Sequence, residues 1–181
     1  MSKSGYIFKV AVIGDGAVGK TSLIRKYTKN DFSAEYVMTL GAQITTYDEK
    51  IDDTNCRLIL WDIAGDEALA KLRPSFYRGT KGAIIVFSHA SGQEVSFEHL
   101  SSWLSDIRKK SENIPIILFG NKIDLIEEDE LSKNKENLNG NVEKFIKEND
   151  IFGYYKTSAL TGQGVISAFK TLVTKLYNLN N

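Results

Sequence analysis

Gly14-Asp15-Gly16-Ala17-Val18-Gly19-Lys20-Thr21 fits the pattern G-x-x-x-x-G-K-[ST] at every fixed position. These residue types suit the cradling of a phosphate, with a chance glycine-rich turn as the alternative. Gly14, Gly16 and Gly19 let backbone N–H groups approach anionic oxygens with no Cβ in the way. The Lys20 ammonium would reach the β- and γ-phosphates, and the Thr21 hydroxyl would ligate Mg²⁺. The flanks supply the required setting. Ile7 to Ile13 is an apolar run broken only by Lys9, and Ser22 to Tyr27 reads as an amphipathic helix. The helix that opens near Gly19 turns its positive dipole end toward the anion.

Later segments narrow the ligand. Leu58 to Gly65 places Asp62 at a strand end with Gly65 three residues on. An acid there can hold Mg²⁺ through a water, since this ion takes oxygen ligands and keeps several waters. The Gly65 N–H is then free for a γ-phosphate oxygen. Asn121-Lys122-Ile123-Asp124 follows another apolar strand. An ionised Asp124 can only accept hydrogen bonds, which suits N1 and the 2-amino group of guanine. Adenine would leave that carboxylate unpaired. Thr157-Ser158-Ala159 follows the last strand, where a backbone N–H could meet guanine O6.

The elements that must position these groups alternate. The sequence predicts strands over 7–13, 41–48, 56–62, 82–88, 114–120 and 153–157, and helices over 19–28, 68–78, 93–110, 137–149 and 163–178. That alternation predicts an α/β fold: a six-stranded, mostly parallel sheet with helices on both faces. Ala83 to Phe87 and Ile114 to Phe119 are apolar throughout, as strands buried on both faces are. Polar residues between 49 and 55 suggest a hairpin, hence one antiparallel edge strand. No internal repeat or linker divides the chain, so residues 1–181 are expected to form one domain. The polar stretches 127–130 and 132–141 read as a solvated loop, with a partner contact as the alternative. His89 and His99 lack ligand spacing.

Composition excludes other classes. The 181 residues carry 23 basic and 23 acidic side chains, so no bulk positive charge marks a nucleic-acid face. No apolar run approaches a membrane span, and no apolar signal segment opens the chain. The single cysteine, Cys56, lies in an apolar run and is expected to be a buried, inert thiol. A cytoplasmic monomer is the expectation, with peripheral membrane association possible but not encoded in this chain.

GDGAVGKT, Thr39, WDIAG, NKID and TSA, in this order over essentially the whole chain, resemble the Ras superfamily of small GTPases. The likeness is greatest to the Rab branch. Leu40-Gly41, Trp61-Asp62 and Phe76-Tyr77-Arg78-Gly79 look Rab-like, while the phosphate loop and Ser158-Ala159-Leu160-Thr161 look more like Rho. The resemblance implies a G domain with GTP or GDP and Mg²⁺, and a role in signalling or membrane trafficking. It implies nucleotide contacts from Asp15, Gly16, Ala17, Val18, Gly19, Lys20, Thr21, Ser22, Gly65, Asn121, Lys122, Asp124, Ser158, Ala159 and Leu160. Thr39 resembles the switch I threonine that ligates Mg²⁺ alongside Thr21 and Asp62. Phe32 resembles the aromatic against the base, with a core phenylalanine as the alternative. Tyr36 resembles a tyrosine that covers the phosphates. Residues 63–75 resemble switch II. Effector, exchange-factor and activating proteins would dock on the triad Ile44, Trp61 and Phe76, in which Ile44 replaces an aromatic. Leu160 stands where many relatives have lysine.

Asp66 is the departure that matters for catalysis, where the implied group is Lys20, Thr39, Gly65 and Asp66. The family carries glutamine at that position, whose amide can both orient water and touch the γ-phosphate. Aspartate is shorter and can only accept. At ~6 Å and an effective dielectric of ~20 its charge would oppose the γ-phosphate by ~3 kcal/mol. The alternatives are that Asp66 points to solvent or pairs with Arg73 or Arg78. The expected function is a switch that hydrolyses GTP slowly unaided; the alternative is a GTP/GDP-binding module with little turnover. The last seven residues, Lys175 to Asn181, contain no cysteine, so no prenyl anchor is expected on this chain as it stands.

Overall fold

The computed structural model describes residues 5–28, 35–126 and 134–181, with the side chains of 35–39 and 134–139 outside that description. Among the described residues seven strands form one sheet: β1 Tyr6–Ile13, β2 Glu35–Thr39, β3 Ala42–Ile51, β4 Thr54–Ile63, β5 Gly82–Ser88, β6 Ile116–Asn121 and β7 Gly153–Lys156. Their order is β2-β3-β4-β1-β5-β6-β7. β1 pairs in parallel with both β4 and β5, and β5, β6 and β7 continue in parallel. The strand order therefore turns back on either side of β1. In an open α/β sheet, the crevice beyond the carboxyl end of such a strand is where ligands bind.

All six expected strands are present. The hairpin is tighter than its polar residues suggested. Asp52 and Asp53 alone form the turn, with φ of 44° and 64°, so β3 and β4 run right up to it. Two left-handed residues match the twist of the flanking strands, and aspartate tolerates that region. β2 is an addition, antiparallel to β3 and placed outside it. The segment Glu35 to Thr39 has the β-forming Tyr36, Val37 and Thr39, which the free edge of β3 can recruit.

Alternation along β1 divides the core. Val10 and Val12 face a cluster with Leu23, Ile24 and Tyr27 of α1 (Lys20–Thr28) and with Phe169, Leu172 and Leu176 of α6 (Val165–Asn180). Ala11 and Ile13 face the opposite cluster. There they meet Ile85 and Phe87 of β5 and the Leu100, Trp103 and Leu104 face of α4 (Leu100–Arg108). α5 (Asn134–Glu148) closes that second layer through Val142 and Phe145. Cys56 is fully buried, as expected.

Two expected helices are broken. Residues 67–72 form a 3-10 helix before the short α2 (Arg73–Phe76), because Pro74 cannot donate into a continuous helix. The stretch after Gln93 divides at His99 into α3 (Val95–Glu98) and α4.

Candidate nucleotide site

The phosphate loop leaves β1 through a gap that only glycine fits. Gly14 has a φ of +138°, and an added Cβ would lie 2.1 Å from the Val86 carbonyl oxygen of β5. Gly19, at a φ of +100°, would place a Cβ 2.3 Å from Asn121 Nδ2. Between them, a Cβ on Gly16 would meet no protein atom within 4 Å, so the space beside that residue is open. Ala17 holds a left-handed φ of 62°.

Lys20 spans the loop. Its Nζ donates to the carbonyls of Gly14 at 2.8 Å and Asp15 at 2.7 Å. Burial pulls its pKa down to about 8; Asp62 and Asp15 oppose the shift, and the charge of Arg73 adds to it. Thr21 Oγ1 donates to Asp62 Oδ2. Asp62 sits at the end of β4 and is itself buried. Burial raises its carboxyl pKa, against the Thr21 hydrogen bond and the Lys20 charge. A hydroxyl and a carboxylate oxygen drawn together beside the lysine are hard oxygen donors suited to Mg²⁺. Gly65 completes the enclosure. Its added Cβ would be 2.4 Å from both Asp15 C and Gly16 N, so the two loops touch backbone to backbone.

The base side is organised by Asn121, which is 1% exposed. Its Nδ2 donates to the Val18 carbonyl at 2.9 Å, and its Oδ1 accepts from Thr157 Oγ1 and Ala159 N, each at 3.2 Å. One side chain thus ties the phosphate loop to the turn after β7. Lys122 takes a left-handed φ of 65° and reaches Gln93 Oε1 at 2.9 Å. That kink starts the 3-10 turn Ile123–Leu125, which carries the exposed Asp124. A cavity of about 410 Å³ opens here, lined by Gly19, Ser22, Asn121, Lys122, Asp124, Ala159 and Leu160 among others. The donor set fits a nucleotide: an open glycine cradle and a buried cation at one end, an acceptor-only carboxylate at the other.

Several expected residues take different stations. Ser158 is fully buried, and its hydroxyl accepts from Thr161 N instead of lining the cavity. Ala159 N is already engaged by Asn121. The Asp15 side chain turns to α4 and its preceding residue, with Oδ1 accepting from Trp103 Nε1 at 2.7 Å and Oδ2 lying 2.7 Å from His99 Nδ1. Phe32 lies outside the described residues. Tyr36 and Thr39 are described as backbone on β2, paired with Thr45 and Ala42, and their side chains lie outside the description. The Asp66 carboxylate accepts from Ala68 N at 2.9 Å and caps its own 3-10 helix, while Arg73 takes the Asp66 main-chain oxygen instead. Ile44 stands opposite Trp61 in register, and the Trp61 and Phe76 rings are 6.0 Å apart, so the triad is one half-buried surface.

Sequence reasoning missed Trp103, His99 and Gln93 around the site. They sit in or just before a helical stretch with ordinary amphipathic spacing, and no local pattern announces partners 29, 84 or 88 residues away. It weighed Arg73 only as a partner for the Asp66 carboxylate.

A phosphate loop at the sheet's switch point, joined by one asparagine to a cavity of about 410 Å³, defines a P-loop nucleotide-binding α/β domain. The chain belongs to the Ras family, whose model matches residues 9–178. It is 34% identical over 181 residues to the Ras-related protein Rab11A of Lotus japonicus, covering 99% of this chain and 76% of that protein. It is 35% identical to the Ras-related protein RABA4b of Arabidopsis thaliana over 180 residues, 99% of this chain and 76% of that one. It is 32% identical to the GTP-binding protein ypt3 of Schizosaccharomyces pombe over 175 residues, 96% and 78% of the two chains. Among the described residues no helix is long and apolar enough to cross a membrane.

Proposed function

We propose that this chain is a guanine-nucleotide switch that binds GTP or GDP with Mg²⁺ and hydrolyses GTP slowly without a partner. The observation that carries this reading is the Asn121 tie, which sets the Asp124 turn, the Ala159 loop and the phosphate loop around one cavity. In this reading Asp124 selects guanine, the phosphate-loop amides and Lys20 hold the phosphates, and Thr21 and Asp62 hold Mg²⁺ with Thr39 joining them. Thr39 and the Gly65 N–H would sense the γ-phosphate, and their release after hydrolysis would loosen the switches. The Ile44, Trp61 and Phe76 surface would receive effectors and regulators, in a Rab-like trafficking role. The whole chain serves as one G domain.

Asp66 supports the slow rate. Its carboxylate is spent on the helix cap, and it cannot donate as the family glutamine does. The same observation favours a second reading, a nucleotide-holding interaction module without turnover. Nucleotide extraction followed by single-turnover hydrolysis of bound GTP separates the two. The first reading expects guanine nucleotide and a slow but measurable rate, and Asp66→Gln should raise that rate about tenfold, a barrier change of ~1.4 kcal/mol. No turnover in either protein would favour the second reading. Equal GTP and ATP affinity in competition would remove both.

A further inference from the structure

We propose that Arg73 is a positioning residue that clasps the Gly65 and Asp66 peptides to the phosphate loop through Trp103. Arg73 is 4% exposed, and its charge has modest compensation: Glu67 Oε1 lies 3.4 Å away on a side chain that is 86% exposed. What holds the guanidinium is the main chain. Nη2 donates to Gly65 O at 3.2 Å and to Asp66 O at 3.0 Å. Nε has no hydrogen-bond partner among the described residues, so the directed bonding rests on the Nη atoms.

The other side of the guanidinium lies on Trp103, with Cζ 4.1 Å from the ring centroid. That indole is itself fixed, because Nε1 donates to Asp15 Oδ1 within the phosphate loop. Asp15 carboxylate, indole, guanidinium and the 65–66 carbonyls form one continuous relay. The relay ends where Gly65 already presses on Asp15 and Gly16, so it closes a ring of contacts around the switch II entrance. Arginine is required by geometry: it offers a flat face to the ring and donors at its edge, whereas lysine is a point charge that cannot stack and fork at once. Fixing the two carbonyls fixes the opposed N–H directions of the same peptides. Those N–H groups belong to Asp66 and Glu67; on the GTPase reading above the γ-phosphate is addressed by the Gly65 N–H, one peptide earlier, and pinning the Gly65 carbonyl restrains it across a single Cα, so the clasp favours triphosphate over diphosphate.

The test is amide hydrogen exchange on the full chain, with and without GDP, alongside affinities for GDP and a slowly hydrolysed GTP analogue. Arg73→Met keeps the stem over Trp103 and removes the donors. Arg73→Lys keeps the charge. Trp103→Phe keeps a ring and removes the Asp15 bond. Peptides covering 65–72 should exchange about tenfold faster in both Arg73 variants, and faster in Trp103→Phe, while 82–88 stays protected as in wild type. Affinity for the GTP analogue should fall about tenfold with GDP affinity within about twofold. Unchanged exchange at 65–72, or full rescue by Arg73→Lys, overturns the clasp. Equal losses for both nucleotides overturn the positioning role. If wild type binds neither nucleotide, the functional reading fails, and the exchange measurement by itself still upholds or overturns the clasp.

Discussion

Asn121→Ala separates a residue that holds the site together from one that reads the ligand. The wild-type side chain makes three hydrogen bonds in a place 1% exposed, to Val18 O, Thr157 Oγ1 and Ala159 N. A typical intramolecular hydrogen bond contributes ~1 kcal/mol net, and truncation leaves its former partners buried without substitutes, so the loss should be at least ~3 kcal/mol. That is a large part of a stability of ~5–15 kcal/mol. It corresponds to a melting-temperature drop of roughly 6–12 °C for a chain of this size. Asp124→Ala provides the contrast. Asp124 is exposed on its 3-10 turn, so its removal should cost less than ~0.5 kcal/mol while still weakening guanine binding. The assay is urea unfolding of nucleotide-stripped protein, followed by circular dichroism, with nucleotide affinity measured in parallel. Equal unfolding midpoints for the two variants would refute the structural role given to Asn121.

Three further outcomes follow from burial and contact. Lys20, with its pKa lowered to about 8, is partly neutral above that pH, and a bound polyphosphate would restore its charge. Nucleotide binding at pH 8.5–9.5 should therefore take up protons and weaken by up to about tenfold per pH unit; calorimetry in buffers of different ionisation enthalpy would show no uptake if this is wrong. His89 has its pKa lowered to about 4, mainly by burial and then by Lys156, and its Nε2 lies 2.9 Å from Tyr154 OH. The unfolded chain binds the extra proton between roughly pH 6.5 and pH 4, so stability should fall as pH drops through that window, by ~3 kcal/mol in all. His89→Gln should flatten that part of the urea-midpoint profile, and an unaltered slope would assign it to other groups. Gly65→Ala forces a Cβ to within 2.4 Å of phosphate-loop backbone, which cannot swing aside as a side chain can. It should cost ~1–3 kcal/mol in the nucleotide-free protein, read as a lower melting temperature; an unchanged melt would place the two loops further apart.

What the sequence disclosed depended on how local each feature is. The phosphate loop is eight consecutive residues in which Gly14 and Gly19 answer to their own φ and to the neighbouring β5 and β6, so their spacing alone located the cradle. β5 and β6 were legible because burial on both faces leaves an unbroken apolar run. β2 was not, since a strand recruited to an open edge has no periodicity of its own to announce the pairing. Asn121 was legible as part of a motif, but its work as a tie runs to Val18, 103 residues earlier. The Asp15 contacts to His99 and Trp103 were hidden for the same reason.

Those different origins divide the site's chemistry. The groups proposed to hold nucleotide stand at the ends of β1, β4, β6 and β7, and the first three of these strands run deep in the sheet, flanked on both edges. Their positions are fixed by the core whether the ligand carries two phosphates or three. The groups proposed to act on the third phosphate, Thr39 of β2 apart, lie on 65–76, a 3-10 helix and one short α-helical turn, anchored by the Asp66 cap and the Arg73 guanidinium. Such a segment has few buried contacts, and local opening there costs far less than unfolding the sheet. Substitutions on the strand ends should therefore change affinity for both nucleotides together. Substitutions on 65–76 should change hydrolysis rate and the preference between triphosphate and diphosphate, with little effect on diphosphate binding. A substitution within 65–76 that weakened GDP as much as GTP, with the sheet still folded, would contradict this division.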